Sequence, residues 1–193
     1  MALPTYNKDK RKKSFQVLPK GAYVVKIVGV KQTPNKSGNG EHLAIAFDIA
    51  EGEYADFYQK QFDSNPNEDR KWNNDGIYRL NIPNDGSASW VWDNWNTFFA
   101  DLEDSNQGFV FDGENLTALK GKLIGGKFNI RQTTYNGNVY DHTQLKWTCI
   151  ASDVRNNTYG KLPNDQLEKS APRPATNSSG FMTLPDDEEE IPF

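Results

Sequence analysis

Phe128-Asn129-Ile130-Arg131-Gln132-Thr133-Thr134-Tyr135-Asn136-Gly137-Asn138-Val139-Tyr140-Asp141-His142-Thr143-Gln144-Leu145-Lys146-Trp147 decides how this chain folds. At its centre Asn136-Gly137 accepts positive φ at both middle positions of a two-residue turn, and an alternating run flanks it on each side. That combination is the strongest short-range signal for a β-hairpin. The two strands are read over residues 123–135 and 139–152. Side chains of a strand alternate between its faces, so Phe128 and Ile130 turn inward with Leu145, Trp147 and Cys149. The same period leaves Lys127, Asn129, Arg131, Thr133 and Tyr135 outward, and opposite them Tyr140, His142, Gln144 and Lys146.

Upstream of the hairpin, residues 22–31 are rich in Val and Ile and read as a first strand. Residues 33–40 form a long turn. In residues 42–49, Leu43, Ile45, Phe47 and Ile49 alternate with small or polar residues, which predicts a half-buried second strand. Glu51-Gly52-Glu53 turns the chain into a third strand over 54–62. The polar stretch 63–75 reads as an irregular loop, and 78–82 as a short strand. Residues 89–102 carry Trp92, Trp95, Phe98, Phe99 and Leu102 at spacings that suit one helix face, which reads as core. The expected fold is mainly β: an OB-fold-like barrel of about five strands with one helix between strands three and four. A plain β-sandwich accounts for the strands and not for the single intervening helix.

The chain has 193 residues, enough for one domain and a tail. Hydrophobic residues make up 36% and mean hydropathy is −0.80, so the core is modest and part of the chain is expected to stay unfolded. No apolar run approaches the roughly 20 residues of a membrane span. The basic run Lys10 to Lys13 has no apolar segment behind it, so a signal peptide is not expected. Cys149 is the only cysteine, which excludes an internal disulfide and fits a reducing cytoplasm.

Net charge is −4, but it is unevenly spread. Residues 1–20 hold six basic side chains against Asp9 and read as a disordered basic arm. After Leu162, Lys169 and Arg173 face seven acidic residues, and five of the ten prolines fall there. The reading is a domain over 21–162, a disordered linker over 163–185 and an acidic tip over 186–193. Seven acids lie in 85–114 without any Lys or Arg, so this segment is expected to face away from nucleic acid.

Some chemistry is present only in outline. Gly121-Lys122-Leu123-Ile124-Gly125-Gly126-Lys127-Phe128 approaches a phosphate-binding loop, but Phe128 stands where Ser or Thr would ligate magnesium. The run also enters a strand and not a helix, so Gly125-Gly126 reads as a bend, a bulge or a close backbone approach. His42 and His142 are the only histidines and have no partners at metal-ligand spacing. No nucleophile with its base is apparent, so neither an enzyme nor a metal or other cofactor is expected.

The last eight residues, Asp186-Asp187-Glu188-Glu189-Glu190-Ile191-Pro192-Phe193, join five carboxylates to two apolar side chains around a proline. Like charges so dense resist packing, whereas Ile191 and Phe193 suit a pocket on another protein. This ending resembles the C-terminal tip of bacterial and phage single-stranded DNA-binding proteins. Tips of that family usually carry aspartates, whereas Glu188, Glu189 and Glu190 stand here with the charge kept. The layout, with its long arm and loops, is more similar to divergent phage members than to the bacterial housekeeping form. The resemblance implies an OB-fold that binds and protects single-stranded DNA without strong sequence preference. It also implies a tip that recruits replication, recombination and repair proteins, with no membrane partner, in the cytoplasm of the cell or phage host. Homo-oligomerisation is compatible with it.

Binding of unpaired strands combines stacking on aromatic rings with a cationic groove. Expected platforms are Tyr58 and Phe62 on the third strand, Trp72 in the loop, and Tyr135 and Tyr140 on the hairpin. Expected phosphate contacts are Lys31, Lys36, Lys60, Arg70, Lys71, Arg79, Lys127, Arg131 and Lys146. Spacing of two puts Tyr58, Lys60 and Phe62 on one strand face. The alternative reading is an interaction module that captures or blocks host repair proteins through the same tip without binding DNA.

Overall fold

The computed structural model describes residues 16–36, 38 and 40–168. Residues 1–15 and the tip at 186–193 lie outside them. Five strands form one antiparallel sheet: β1 (Ala22–Pro34), β2 (Glu41–Ile49), β3 (Ile77–Asn81), β4 (Leu123–Tyr135) and β5 (Asn138–Cys149). Their order is β3-β2-β1-β4-β5. Helix α2 (Ser89–Ser105) lies between β3 and β4, as the barrel reading requires, and α1 (Phe57–Asp63) and α3 (Ala151–Asn156) are short. No helix among the described residues is long and apolar enough to cross a membrane.

The hairpin forms around its expected turn. Asn136 and Gly137 have φ of 49° and 76°, the double positive of a type I′ turn. Curvature comes from irregularities in β1 between Ile27 and Gly29 and in β4 between Lys127 and Phe128. Val25, Ile27, Leu43, Ile45, Phe47, Leu80, Ile124 and Phe128 point into the enclosed core. Phe98 and Leu102 of α2 close that core, and Leu119 joins them from a 3-10 turn at Leu116–Leu119.

Gly125 and Gly126 make a close approach possible. A Cβ on Gly125 would stand 2.8 Å from the Cys149 carbonyl oxygen and 2.7 Å from its sulfur. One on Gly126 would meet Leu145 at 2.8 Å. The preceding Gly121 and Lys122 bond the backbone of Ile27 in β1 and lead into β4, a strand.

The third strand is corrected. Residues 57–63 are helix α1, and the short strand at Ile77–Asn81 takes third place in the sheet. Tyr54, Tyr58 and Phe62 stand four apart, a spacing that serves a helix face as well as strand alternation. What selects the helix is remote: the Asp48 carboxylate in β2 accepts the N–H groups of Tyr58 (2.8 Å) and Gln59 (3.0 Å), besides that of Ile49. It does the work of a cap, because Asp56 at the N-terminus makes no side-chain capping bond. Burial pushes the Asp48 carboxyl above the usual range, against the pull of those three donors.

A bulge corrects the hairpin's faces. Phe128 pairs with Leu145 but Lys127 pairs with Trp147, so Lys146 is an extra residue and the alternation inverts there. Trp147 therefore lies on the outer face with Lys127 and is 45% exposed. Cys149 is buried outside the main core cluster, and burial pushes its thiol up to about 11. Asn129 does point outward, yet it is buried, because Nδ2 donates to the Asn164 carbonyl at 2.7 Å.

That contact belongs to a docked segment. Gln166 pairs in parallel with Arg131 of β4, and Asp165 accepts from Ile130 N–H and from Lys20 at 2.9 Å. The described chain past Leu162 thus follows the edge of β4 beyond Lys127, which β1, beginning at Ala22, does not reach. At the other end, Leu18 is 2% exposed in the core and its carbonyl accepts the Thr143 hydroxyl. The domain gathers short stretches that composition assigns to arm and linker.

Two variants test these supports. Asp48→Ala is expected to destabilise by about 1–3 kcal/mol for each buried N–H left without a partner, and Asp48→Asn by less, in urea unfolding. Gly125→Ala overpacks against backbone oxygen and is expected to cost about 1–3 kcal/mol, read as a lowered urea midpoint.

Candidate functional site

The sheet does not close by a backbone ladder between β3 and β5, the two ends of its order. Side chains bridge that seam. His142 on β5 bonds through Nδ1 to Asp75 Oδ2 at 3.1 Å and through Nε2 to the Thr133 hydroxyl at 2.9 Å. Asp75 belongs to a 3-10 turn, Asn74–Gly76, which leads directly into β3.

Along the seam runs a cleft of about 460 Å³. Arg79 of β3, Arg131 of β4 and Lys146 of β5 line it together with Trp90 from the first turn of α2. Arg79 is steadied by a 2.5 Å bond to Asn74 Oδ1. Trp90 is 56% exposed, a large flat ring beside three cations. A smaller cleft of about 220 Å³ continues past Lys146 to Lys127 and Trp147. Lys127 is half-buried, and its Nζ donates to the Tyr159 carbonyl at 2.7 Å.

The other expected residues lie in separate groups. Tyr58 is 1% exposed, so its place as a surface stacking platform is overturned by burial in the core. Since α1 is a helix, Tyr58, Lys60 and Phe62 do not share a strand face; Lys60 instead donates to the Ala55 carbonyl. Phe62 lies 5.8 Å from Trp72, and the Arg70 guanidinium sits 4.7 Å from the Phe62 ring centre. Trp72 is half-buried, donating to the Gly76 carbonyl, and Lys71 is exposed beside it. These rings serve one another and the loop. Tyr135 is exposed next to the hairpin turn, and Tyr140 borders another cleft. Lys31 on β1 and Lys36 in the β1–β2 turn are exposed at the far end of that pair.

Two rings escape the sequence reading. The buried positions of α2 are Val91, Phe98, Phe99 and Leu102, with Val91 seven and eleven residues before Phe98 and Leu102. Val91 thus holds the core position expected of Trp92, which is 42% exposed. Trp90, one step off the stripe, was detectable as a large aromatic outside the apolar period. Trp147 was hidden by the bulge, which no local residue announces.

The acidic segment is not wholly turned away. Asp101 of α2 accepts the Thr148 hydroxyl of β5 at 2.6 Å, and burial raises its pKa while Lys127 opposes that shift. His42 bonds Asn35 at 2.7 Å. Among the described residues no group of three His, Cys, Asp or Glu side chains could hold a metal ion.

The chain matches no protein-family model and no curated protein sequence.

Proposed function

We propose that this protein binds single-stranded DNA without strong sequence preference, along the β3–β5 seam. The observation that carries the reading is the union of Arg79, Arg131 and Lys146, from three strands, beside the exposed ring of Trp90. Cations that track phosphates and rings that stack bases are the two parts of sequence-tolerant recognition. In OB-folds the face of strands two and three and the β1–β2 and β4–β5 loops contact oligonucleotides. Arg79 lies on β3, Lys36 follows β1, and Tyr135 adjoins the β4–β5 turn, so all three border that region. The protein acts as a binder, not an enzyme, and needs no cofactor.

The tip, Asp186–Phe193, completes the proposal through its family resemblance. Its carboxylates dock on a basic surface while Ile191 and Phe193 enter an apolar pocket of a replication, recombination or repair protein. The setting is the cytoplasm, of a phage host if the chain is phage-encoded.

Adding poly-dT is expected to quench tryptophan fluorescence, and Trp90→Ala to weaken binding by about 1–3 kcal/mol. Arg131→Ala and Lys146→Ala are each expected to weaken binding to every sequence. Each should also flatten the dependence of log affinity on log salt by about 0.7. No quenching together with intact partner capture would favour the interaction module that leaves DNA alone.

Deleting Phe193 is expected to leave oligo-dT affinity unchanged and to abolish capture of recombination and repair proteins in pull-downs. Capture at the full-length level would remove the tip from the mechanism.

A further inference from the structure

Across the Asp75–His142 pair from the cationic cleft lies a second one of about 440 Å³, bordered by the chain at Leu18, helix α1 and β5. Among the described residues no lysine or arginine lines it, so that lining offers phosphate no cation. Its polar side chains are largely engaged with one another. Gln61 donates to the Gln16 carbonyl and accepts from Asn73, and Asn73 Oδ1 holds the Asp75 N–H. Thr143 donates to Leu18, and both His142 nitrogens are used.

Tyr58 departs from this pattern. It lines the cleft, is 1% exposed, and its hydroxyl has no hydrogen-bond partner. The ring is held by edge contacts with Phe47 at 5.6 Å and Phe57 at 5.2 Å. It also packs on Gly76, where a Cβ would come within 2.9 Å of Cγ. So rigid a mounting leaves the hydroxyl little freedom to seek a partner elsewhere. Asp75 lines the same cleft wall as Tyr58. Tyr140 stands 48% exposed and also lines the cleft.

We propose that this second cleft takes one unstacked nucleobase of the bound strand, with the Tyr58 hydroxyl bonding its edge and the neighbouring phosphates kept in the cationic cleft. The inference rests on the single-strand reading above. Aromatic walls suit a planar heterocycle, and a described lining without cations favours the base over the phosphate backbone. A hydroxyl can donate or accept, so it can meet some edge group of any base. A pocket of this kind adds affinity without imposing a sequence.

The test compares the full chain with Tyr58→Phe, Tyr140→Ala and Arg131→Ala. Each is titrated with labelled oligo-dT at several salt concentrations, and thermal unfolding is followed on the same samples. Tyr58→Phe removes one oxygen and keeps the ring. It is expected to lose about five- to tenfold in affinity, the scale of one neutral hydrogen bond. Its salt dependence should equal that of the wild type, and its unfolding midpoint should stay level or rise. Tyr140→Ala, at an exposed site, should also lose affinity without a change in salt dependence. Arg131→Ala should flatten the salt dependence. If Tyr58→Phe and the wild type bind equally, the hydroxyl is served by water alone and the base pocket falls while the cationic cleft stands. The base pocket also falls if affinity is lost only together with a lowered midpoint. A wild-type protein that ignores every oligonucleotide removes both readings.

Discussion

His142 holds the place in this fold where a backbone ladder is missing. A barrel abolishes its edges by closing; here the sheet stays open, and an imidazole held by Thr133 reaches across the gap to Asp75. One ring nitrogen faces a carboxylate and the other a hydroxyl, so both are engaged. The bridge is narrow. A ladder along the whole seam would consume the edges of β3 and β5, whereas one side-chain contact leaves room on both sides of it. Both larger clefts include Asp75 and His142 in their walls, so this one pair stands between them.

The remaining strength of the domain comes from contacts distant in sequence. Asp48 and the N–H groups of Tyr58 and Gln59 stand ten and eleven residues apart, and they convert the chain after β2 into a helix. Thr143 and Leu18 are separated by 125 residues, Asn129 and Asn164 by 35. The last two pairs attach the ends of the described chain to opposite faces of the same hairpin. Gln166 matters for a further reason: it occupies the stretch of β4 that β1 leaves unpaired, so an otherwise open edge is covered. Lys20 and Asp165 then tie the two ends to each other.

Much of this architecture was legible because its signals are local. Asn136-Gly137 specifies its turn by conformational tolerance alone, and the alternation in β2 survives into the structure with Leu43, Ile45, Phe47 and Ile49 all buried. The misread segment at 54–62 fits two periods equally, and the choice between them lies in Asp48, which no window around α1 contains. Trp147 follows the same logic, since one extra residue at Lys146 reverses every later side chain in β5. For the site, cation identity was readable and grouping was not. Arg79, Arg131 and Lys146 come together only because β3 and β5 are brought edge to edge. Arg70 and Phe62, equally suggestive in sequence, satisfy each other.

Under the single-strand proposal, the two clefts would take different parts of the ligand. Phosphate carries its charge whatever the base, so it needs cations that tolerate repetition, and Arg79, Arg131 and Lys146 give one such side. A base is flat and largely apolar, with a few donors and acceptors at its rim, and the Tyr58–Tyr140 cleft has aromatic walls and one unpartnered hydroxyl. Putting cations in both would strengthen attraction to any polyanion, duplex included, because paired and unpaired strands alike present phosphates. Removing them from one side makes that cleft unrewarding to a paired base. Under the proposed binding mode, discrimination for unpaired strands then rests on the cleft whose described lining holds no cation, with His142 and Asp75 in the walls of both.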